Sequence, residues 1–310
     1  TYNKATGLST AGSTAQDNAV SASPTSLTGV TNDKYPANTI QVPAGMTATI
    51  KDAAGNTLDT DTSKATHLVK NSDGSYTIVG AFSLTSAGAL AVPSYTVTYT
   101  ANAVKMIQQY PDETRSNAGT AYGSYSAAGV VQKSGYVSFV DGTKANQTPA
   151  GTFGATDKTY TITYEAVPAT AGEVANEPTV TAALAAVNAA TTETDYKAAL
   201  AAYNTAVSDA QTARDNAETA AKAVDSSGFS TVTAVSDAQT NLNNVLAQAA
   251  AGQATTQQVI DATTALQTAI SDAQAALDAA KAQAKTDIQA NIDDINTQIT
   301  QIQADIDAIQ

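Results

Sequence analysis

The sequence predicts a segregated α+β protein in which a β half precedes an Ala-rich helical half. All eight prolines lie at or before Pro178, as do 16 of the 18 glycines and 11 of the 13 tyrosines. Such a break in composition marks a domain boundary. Short stretches with period-two alternation occupy the first half, and apolar residues at helical spacing occupy the second. Residues 168–178 (PATAGEVANEP) are therefore predicted to be the linker.

The β half is predicted to contain two tandem small modules, residues 30–101 and 102–167. Tyr95–Tyr99 (YTVTY) and Tyr160–Tyr164 (YTITY) are nearly the same alternating strand, and we interpret them as the closing strands of the two modules. The segment HLVKNSDGSYTIVG predicts a hairpin through its Ser-Asp-Gly turn. Residues 1–29 are rich in Ser, Thr, Ala and Gly, which predicts an irregular lead-in.

The helical half is predicted to form a three-helix bundle, residues 179–254, that continues into one long helix, residues 255–310. Pro178 suits the first turn of a short helix, and TETD resembles a capping box at the start of the next. Gly228 and Gly252 are the only two glycines of this half and mark helix ends. The segment TTQQ then opens a helix that, at 1.5 Å per residue, is roughly 80 Å long.

The last part of the long helix carries a heptad seam made of isoleucine alone. The spacing alternates between four and three residues, through Ile288, Ile292, Ile295, Ile299, Ile302, Ile306 and Ile309. Isoleucine at both core positions favours three or more strands in a coiled coil. The middle helix of the bundle can cover only the first half of the long one, so the seam needs a partner. Two explanations stay open: it begins the next bundle of a tandem array, or it joins copies of the chain into a homo-oligomer.

Composition excludes several classes of function. The net charge of −13 argues against nucleic acid, whose phosphates require Lys and Arg, and against an anionic membrane surface. No stretch approaches 18 consecutive apolar residues, so no membrane span is expected. The absence of Cys removes disulfides and thiolate chemistry. No signal peptide opens the sequence, which is typical of a cytoplasmic protein or of a mature fragment. The low content of charged residues and the many Ser and Thr hydroxyls favour a secreted, extracellular Gram-positive surface protein.

The second module contains three stretches that follow a known pattern: YTANAVKMIQQYPDE (Tyr99–Glu113), SGYVSFVDGT (Ser134–Thr143) and TDKTYTITYEA (Thr156–Ala166). Over about 70 residues they resemble a repeat of the mucus-binding adhesins of lactic-acid bacteria. The sequence departs from that pattern at Pro111, inside YPDE, and lacks the usual glycine after the acid. The resemblance implies a β-grasp-like or Ig-like module on a cell-surface protein that binds mucin or other host glycans.

In the helical half, Ser230–Ile270 places Val235, Ala238 and Leu242 on one predicted helix and ATTQQVIDATTALQTAI on the next. This stretch is similar to the FIVAR-type repeats of Gram-positive surface proteins. This resemblance implies a three-helix spacer that in some members binds a matrix protein.

Tyrosines supply the candidate ligand-binding residues. Tyr110, Tyr122, Tyr125 and Tyr136 fall in or near one Gly/Ser-rich section, and a chain without Trp must use Tyr as its stacking surface for saccharides. The alternative is that these rings pack on sheet faces, where Tyr is favoured in any case.

Other chemistry has little support in the sequence. The oxygens of Asp52, Asn56, Asp59 and Asp61 surround a Gly turn and form a candidate Ca²⁺ site, although the spacing of a Ca²⁺-binding loop is absent and a plain hairpin turn explains them. The single histidine, His67, has no second His or Cys to work with.

An intramolecular isopeptide bond is a further possibility. Lys105 or Lys158 would join an Asn on a neighbouring strand, beside Glu165 as the acid that such a bond requires.

Together these observations predict a non-enzymatic surface adhesin or stalk fragment without a cofactor. The β modules would bind host glycan, mucin or matrix protein, and the helical part would act as a spacer. The alternative is a structural, array-forming protein that self-associates through the isoleucine seam. An enzyme would require His67 to be buried beside an acid and a nucleophile.

Overall fold

The structure, a computed structural model, describes residues 1–26, 38–80 and 94–309, and the backbone of 83–84 and 90–91. It confirms a mixed α+β chain with several small sheets and a long C-terminal helix. Residue 30, the predicted start of the first β module, lies outside the described residues.

The chain divides into two compact units. The β unit comprises Thr1–Val167 and Thr191–Glu193, and the helical unit comprises Pro168–Ala190 and Thr194–Gln310. The division therefore falls at the start of the predicted linker.

Short strands and one helix build the β unit. They are β1 (Tyr2–Asn3), α1 (Thr10–Ser21), β2 (Thr39–Ile40), β3 (Met46–Asp52), β4 (His67–Lys70), β5 (Tyr76–Val79), β6 (Ser83–Leu84), β7 (Leu90–Ala91), β8 (Tyr95–Ala101), β9 (Ala103–Gln109), β10 (Thr114–Thr120), β11 (Ser124–Tyr125), β12 (Tyr136–Val140), β13 (Thr143–Lys144), β14 (Gly151–Thr152) and β15 (Lys158–Ala166). The described sheets have the orders β1-β8-β3, β2-β5-β4 and β10-β9-β15-β12-β13, with β6-β7 and β11-β14 as separate pairs.

The two similar strands recognised in the sequence occupy equivalent positions. Alternation in β8 buries Tyr95, Val97 and Tyr99, and alternation in β15 buries Tyr160 and Ile162. Strand β8 is antiparallel to β3 and parallel to β1, while β15 is antiparallel to β12 and parallel to β9. Each strand is thus central in a mixed sheet, which explains its nearly continuous run of β-branched and aromatic residues.

The two halves of the β unit share one core, which corrects the expectation of separate tandem modules. Described strands pair only within residues 1–101 or within 103–166. Buried residues from both halves nevertheless form one cluster, in which Ile50 and Val97 lie with Ile162. Small sheets of this size leave apolar faces uncovered unless another layer packs on them, and each half here supplies that layer to the other.

Residues 1–26 are structured, which corrects the irregular lead-in that the composition predicted. Strand β1 adds to the edge of β8, and the Thr1 ammonium donates to the Tyr95 carbonyl at 3.0 Å. Helix α1 begins after Ser9, whose hydroxyl caps it by accepting from the Gly12 amide. A Cβ at Gly12 would lie 2.3 Å from Tyr122 Cβ, so the absence of a side chain at Gly12 allows α1 to pack closely against Tyr122.

The helical unit contains four α-helices among its described residues. They are α2 (Pro178–Ala189), α3 (Glu193–Lys222), α4 (Thr233–Ala250) and α5 (Thr256–Ile309), with 3₁₀ turns at Gly172–Val174 and Ser227–Phe229. Pro178 occupies the first turn of α2, as its fixed φ predicts. Thr255 and Gln258 form a reciprocal capping box at the start of α5, with the Thr255 amide donating to Gln258 Oε1 at 2.8 Å.

The second half of α3, all of α4 and the start of α5 pack around one core. Val235, Leu242 and Ala249 of α4 recur every seven residues and are fully buried. They meet alanines of α3, and Val259 and Leu266 of α5. Alanine at these positions lets the helix axes approach closely.

A buried ionic cluster closes one end of this unit and corrects the assignment of residues 168–178 as a linker. Arg214 is completely buried and donates to Glu177, to Thr256 Oγ1 and to the carbonyls of Ala249 and Ala254. Val174, within the same supposed linker, is also completely buried. The segment is therefore part of the folded helical unit.

Helix α5 extends beyond its own bundle. It packs against α4 as far as Ala273, and every residue from Gln274 to Ile309 is exposed. At 1.5 Å per residue this exposed stretch is roughly 54 Å long. No helix in the described part of the chain has both the length and the hydrophobicity that a membrane crossing requires.

Candidate functional site

Two of the four predicted binding tyrosines are buried inside the β unit, and Tyr125 is half-buried there. Tyr110 is 3% exposed, and its hydroxyl accepts from the Val131 amide at 3.1 Å. Tyr122 is 9% exposed and donates to the Ala44 carbonyl at 2.9 Å. These contacts correct the expectation that Tyr110 and Tyr122 offer stacking faces: both rings pack within the fold.

Tyr125 is likewise committed to internal contacts. Its hydroxyl lies 2.8 Å from the Tyr160 hydroxyl, and its ring centroid lies 4.7 Å from that of Phe153. The ring is also tight against Gly151, where a Cβ would lie 2.6 Å from the Tyr125 hydroxyl oxygen. The structure therefore gives Tyr125 a packing role.

Tyr136 is the predicted tyrosine that remains at the surface, with 42% of the residue exposed. It closes the turn Lys133-Ser134-Gly135-Tyr136, in which the Tyr136 amide donates to the Lys133 carbonyl at 3.1 Å. Gly135 has φ +78°, the left-handed conformation that the third position of such a turn requires. Because the first and last residues of the turn lie on the same side, the Lys133 ammonium comes to 4.6 Å from the Tyr136 ring centroid.

A second ring completes this surface. The Lys133 ammonium also lies 5.9 Å from the Tyr164 ring centroid, and Tyr164 is half-buried on the neighbouring strand β15. Tyr164 donates to the Val131 carbonyl at 2.6 Å. Burial first, and then the nearby Tyr110 and acidic side chains, raise the pKa of Tyr164, so its hydroxyl stays protonated. We call Lys133, Tyr136 and Tyr164 the Tyr136 patch.

The Tyr136 patch combines the groups that saccharides require. Tyr136 provides a partly exposed ring with the Lys133 ammonium over one of its faces, and Lys133 provides a cation whose described contacts are the two rings. The net charge of the chain is −13, so a lysine side chain without an acidic partner in the described part of the chain differs from the prevailing negative charge. Among the described residues, no carboxylate lies within ion-pair distance of the Lys133 ammonium. This ammonium can therefore pair with a carboxylate or sulfate group of a ligand.

A groove lies elsewhere on the same unit but lacks an aromatic platform. Its volume is about 640 Å³, and Asp141, Asn146, Gln147 and Tyr160 are among the residues that line it. Tyr160 is only 6% exposed, so its ring offers almost no surface to a ligand. The groove therefore offers amides and hydroxyls without a stacking surface.

The candidate Ca²⁺ ligands are engaged in local turns. Asp52 accepts from the amide and the side chain of Asn56 at 2.8 and 3.0 Å. Asp59 pairs with Lys64, and Asp61 accepts from Ser63. Within the described residues no three His, Cys, Asp or Glu side chains are grouped as a metal site would need. The structure thus accounts for the four oxygens by hairpin geometry.

His67 and the isopeptide residues are not arranged for chemistry. His67 is half-buried at the start of β4, with Nδ1 3.0 Å from the Lys64 carbonyl oxygen. Lys105 and Lys158 are exposed. Lys158 lies seven residues from Glu165 on the same strand, a separation of roughly 23 Å along β15. The structure therefore separates the lysines from the acid that an isopeptide bond would need.

The isoleucine seam is exposed along its whole length. The exposed fraction of its seven isoleucines ranges from 45% at Ile292 and Ile306 to 86% at Ile309. Contiguous apolar surface of this kind marks an interaction site in soluble proteins.

Comparison with protein-family models and with curated proteins found no match to this chain. The candidate sites therefore rest on the geometry of the chain itself. Sequence reasoning missed Lys133 and Tyr164, although the segment KSGY carries the turn signal that could have identified Lys133.

Proposed function

We propose that this chain is a non-enzymatic fragment of a bacterial cell-surface adhesin, in which the β unit binds a host glycan or mucin and the helical unit serves as a spacer. The observation that carries the proposal is the Tyr136 patch, where an exposed tyrosine and a lysine lie side by side on one turn. The location would be extracellular, on the cell surface or in the cell wall.

The chemistry of the patch favours acidic saccharides over neutral ones. Aromatic faces stack on the apolar faces of sugar rings, and the Lys133 ammonium would pair with a carboxylate or sulfate beside the stacked ring. Mucin glycans carry such groups. The overall charge of −13 disfavours polyanions elsewhere on the surface, so binding would concentrate at this patch.

The finer fold assignment belongs to the same proposal. In the second half of the β unit, the first and last long strands lie parallel and adjacent at the centre of the order β10-β9-β15-β12-β13. A β-grasp sheet has this order, which supports the β-grasp-like alternative over the Ig-like one. In the helical unit, the shared core of α3, α4 and α5 supports a three-helix spacer.

Binding of the full chain to sialylated and sulfated mucin, measured by biolayer interferometry, tests the proposal. Tyr136→Ala should weaken binding about tenfold, since an aromatic contact contributes about 0.5–1.5 kcal/mol beyond its area. Lys133→Gln should weaken binding to acidic mucin but not to enzymatically desialylated, desulfated mucin. Lys105→Gln removes an equally exposed lysine from the same sheet and should have no effect.

Equal binding by all variants, or no binding of the wild-type chain to any mucin or glycan array, would count against the adhesin proposal. A fold control is available because Tyr136 and Lys133 lie at the surface, so circular dichroism spectra should be unchanged.

A second candidate function is that of a structural protein that forms arrays with its own copies. The exposed isoleucine seam favours it. Ordered assembly seen by electron microscopy without any ligand would support this candidate, and a wild-type chain that stays dispersed at high concentration would exclude it.

A further inference from the structure

The residue pattern of the isoleucine seam of α5 indicates which binding partner packs against it. Ile288 and the six isoleucines that follow occupy alternating d and a positions of the heptad repeat. Lys281 and Lys285 would fall at the two preceding core positions, so the seam begins sharply at Ile288. Charge at two successive core positions is costly in a coiled coil, so we take the interface to begin at Ile288 and to include residues 288–309.

We propose that three copies of this chain associate through residues 288–309 as a three-stranded coiled coil. The inference does not depend on glycan binding and specifies the stoichiometry of the seam. Isoleucine at both a and d positions shifts the preference of a coiled coil from two strands to three or four, because the β-branched side chain packs poorly at the d layer of a dimer.

The area of the seam fits three strands. A stretch of 22 residues is roughly 33 Å long, and the a, d, e and g positions cover about four-sevenths of a cylinder of roughly 10 Å diameter, or about 600 Å² per chain. Three copies would bury about 1,800 Å² in total, within the usual range of stable specific interfaces, whereas two would bury about 1,200 Å², at its lower limit.

The distribution of charge fits a second copy of the chain better than a basic partner. Asp287, Asp293, Asp294 and Asp307 lie at b and c positions, on the face opposite the seam. The flanking e and g positions carry Gln and Asn, apart from Asp305. The same positions of a second copy can therefore lie against them without charge repulsion.

The polar flanks are already satisfied within the helix. Gln289 and Gln303, both at e positions, donate to Asp293 and Asp307 at 2.9 and 3.1 Å. These bonds direct the long side chains along the outer face and leave the isoleucines uncovered. Burial of the isoleucines at the a and d positions would thus supply most of the apolar area that residues 288–309 lose to water contact when the copies join.

Light scattering on the full chain across a concentration series tests the proposal. The expected mass is three times the 31.3 kDa of one chain at micromolar concentration. The double variant Ile295→Asn/Ile302→Asn should be monomeric, since it places amides in two core layers. The matched control Thr297→Asn/Ala304→Asn puts the same side chains at outer f positions and should remain trimeric.

Each other outcome overturns the proposal. A wild-type monomer would mean that a different segment or partner covers the seam. A dimer or a tetramer would exclude three strands, and a trimer that persists in Ile295→Asn/Ile302→Asn would locate the interface elsewhere. Mucin binding by the same samples is scored separately, so loss of binding through Tyr136→Ala and loss of assembly through the seam variant are distinguishable.

Discussion

The guanidinium of Arg214 donates to the carboxylate of Glu177 at 2.9 Å, with only 1% and 10% of the two side chains exposed. The same Glu177 oxygen accepts from the amide and the hydroxyl of Thr256 at 2.6 and 2.7 Å. One buried carboxylate thus ties the start of α2 to the middle of α3 and caps the first turn of α5. Burying two charges is costly, and the complete set of hydrogen bonds around them offsets that cost.

Removing the arginine should destabilise the helical unit strongly. Arg214→Met leaves the Glu177 carboxylate buried without its cation, and we expect the free energy of unfolding to fall by about 3–5 kcal/mol. Urea unfolding followed by helical circular dichroism measures it. Lys222→Met, which breaks the exposed pair with Glu218, should cost about 0.5 kcal/mol or less. Similar losses in the two variants would contradict the role assigned to the buried pair.

Acid should loosen the first turn of α5. Burial alone would raise the pKa of Glu177, but hydrogen bonds from Thr256 and Arg214 outweigh burial and lower the pKa below its usual 4.5. A lowered folded pKa means that the stabilisation is present above pH 4.5 and is lost as the pH falls through the folded value. The protection factor of the Thr256 amide, which is its intrinsic exchange rate at a given pH divided by the observed rate, should therefore fall as the pH drops through the folded pKa of Glu177.

Glu177→Gln provides the control for this acid effect. The variant lacks the titrating carboxylate, so the protection factor of the Thr256 amide should already be lower at neutral pH and should change less with acid. A protection factor that follows pH identically in both proteins would contradict the assignment.

Gly45 tests whether the two halves of the β unit share one core. It has φ +74°, and a Cβ there would lie 2.6 Å from Ala155 Cα in the other half. Gly55 has φ +90° but open space around it. We expect Gly55→Ala to cost about 1–2 kcal/mol from backbone strain, and Gly45→Ala to cost about 1–3 kcal/mol more from overpacking. Equal costs, measured by thermal unfolding, would indicate that the halves do not pack as described.

The paired hydroxyls of Tyr125 and Tyr160 predict an alkaline transition. Burial first, and then the hydrogen bond to Tyr125, raise the pKa of Tyr160 to about 12. The stabilisation from the neutral phenol is present below the unfolded value of about 10 and is lost as the pH rises through about 12. Ultraviolet absorbance of tyrosinate should show a late-titrating fraction that decreases in Tyr160→Phe. Complete titration in a single step, as in urea-unfolded protein, would contradict this.

Local signals predicted much of the fold. Alternation in YTVTY and YTITY identified two strands, and TTQQ identified the first turn of α5. Pro178 located the start of α2. Each of these depends on residues close in sequence, where the physical cause is contained in the segment itself.

Features that depend on distant partners could not be predicted. The first 26 residues have a linker-like composition, and only the pairing of Tyr2 with Val97 and the packing of Gly12 on Tyr122 give them structure. Glu177 sits in a polar stretch, and its burial becomes intelligible only beside Arg214, 37 residues away.

The tyrosines show the same limit at the candidate site. Tyr110, Tyr122, Tyr125 and Tyr136 are alike in sequence context, and a sheet alternates its faces, so which ring reaches solvent depends on register and on neighbouring layers. Only Tyr136 follows a glycine turn that projects it from the core.

The parallel neighbours of β8 and β15 have a consequence for a chain under tension. In each half of the β unit, the strand by which the chain enters lies parallel and adjacent to the strand by which it leaves. A pull on the two ends therefore drives these strands past each other along their length. All the hydrogen bonds between them carry the load together and must fail together, whereas strands peeled from one end would lose them singly. Such shear loading makes a small unit resistant to force applied at its two ends.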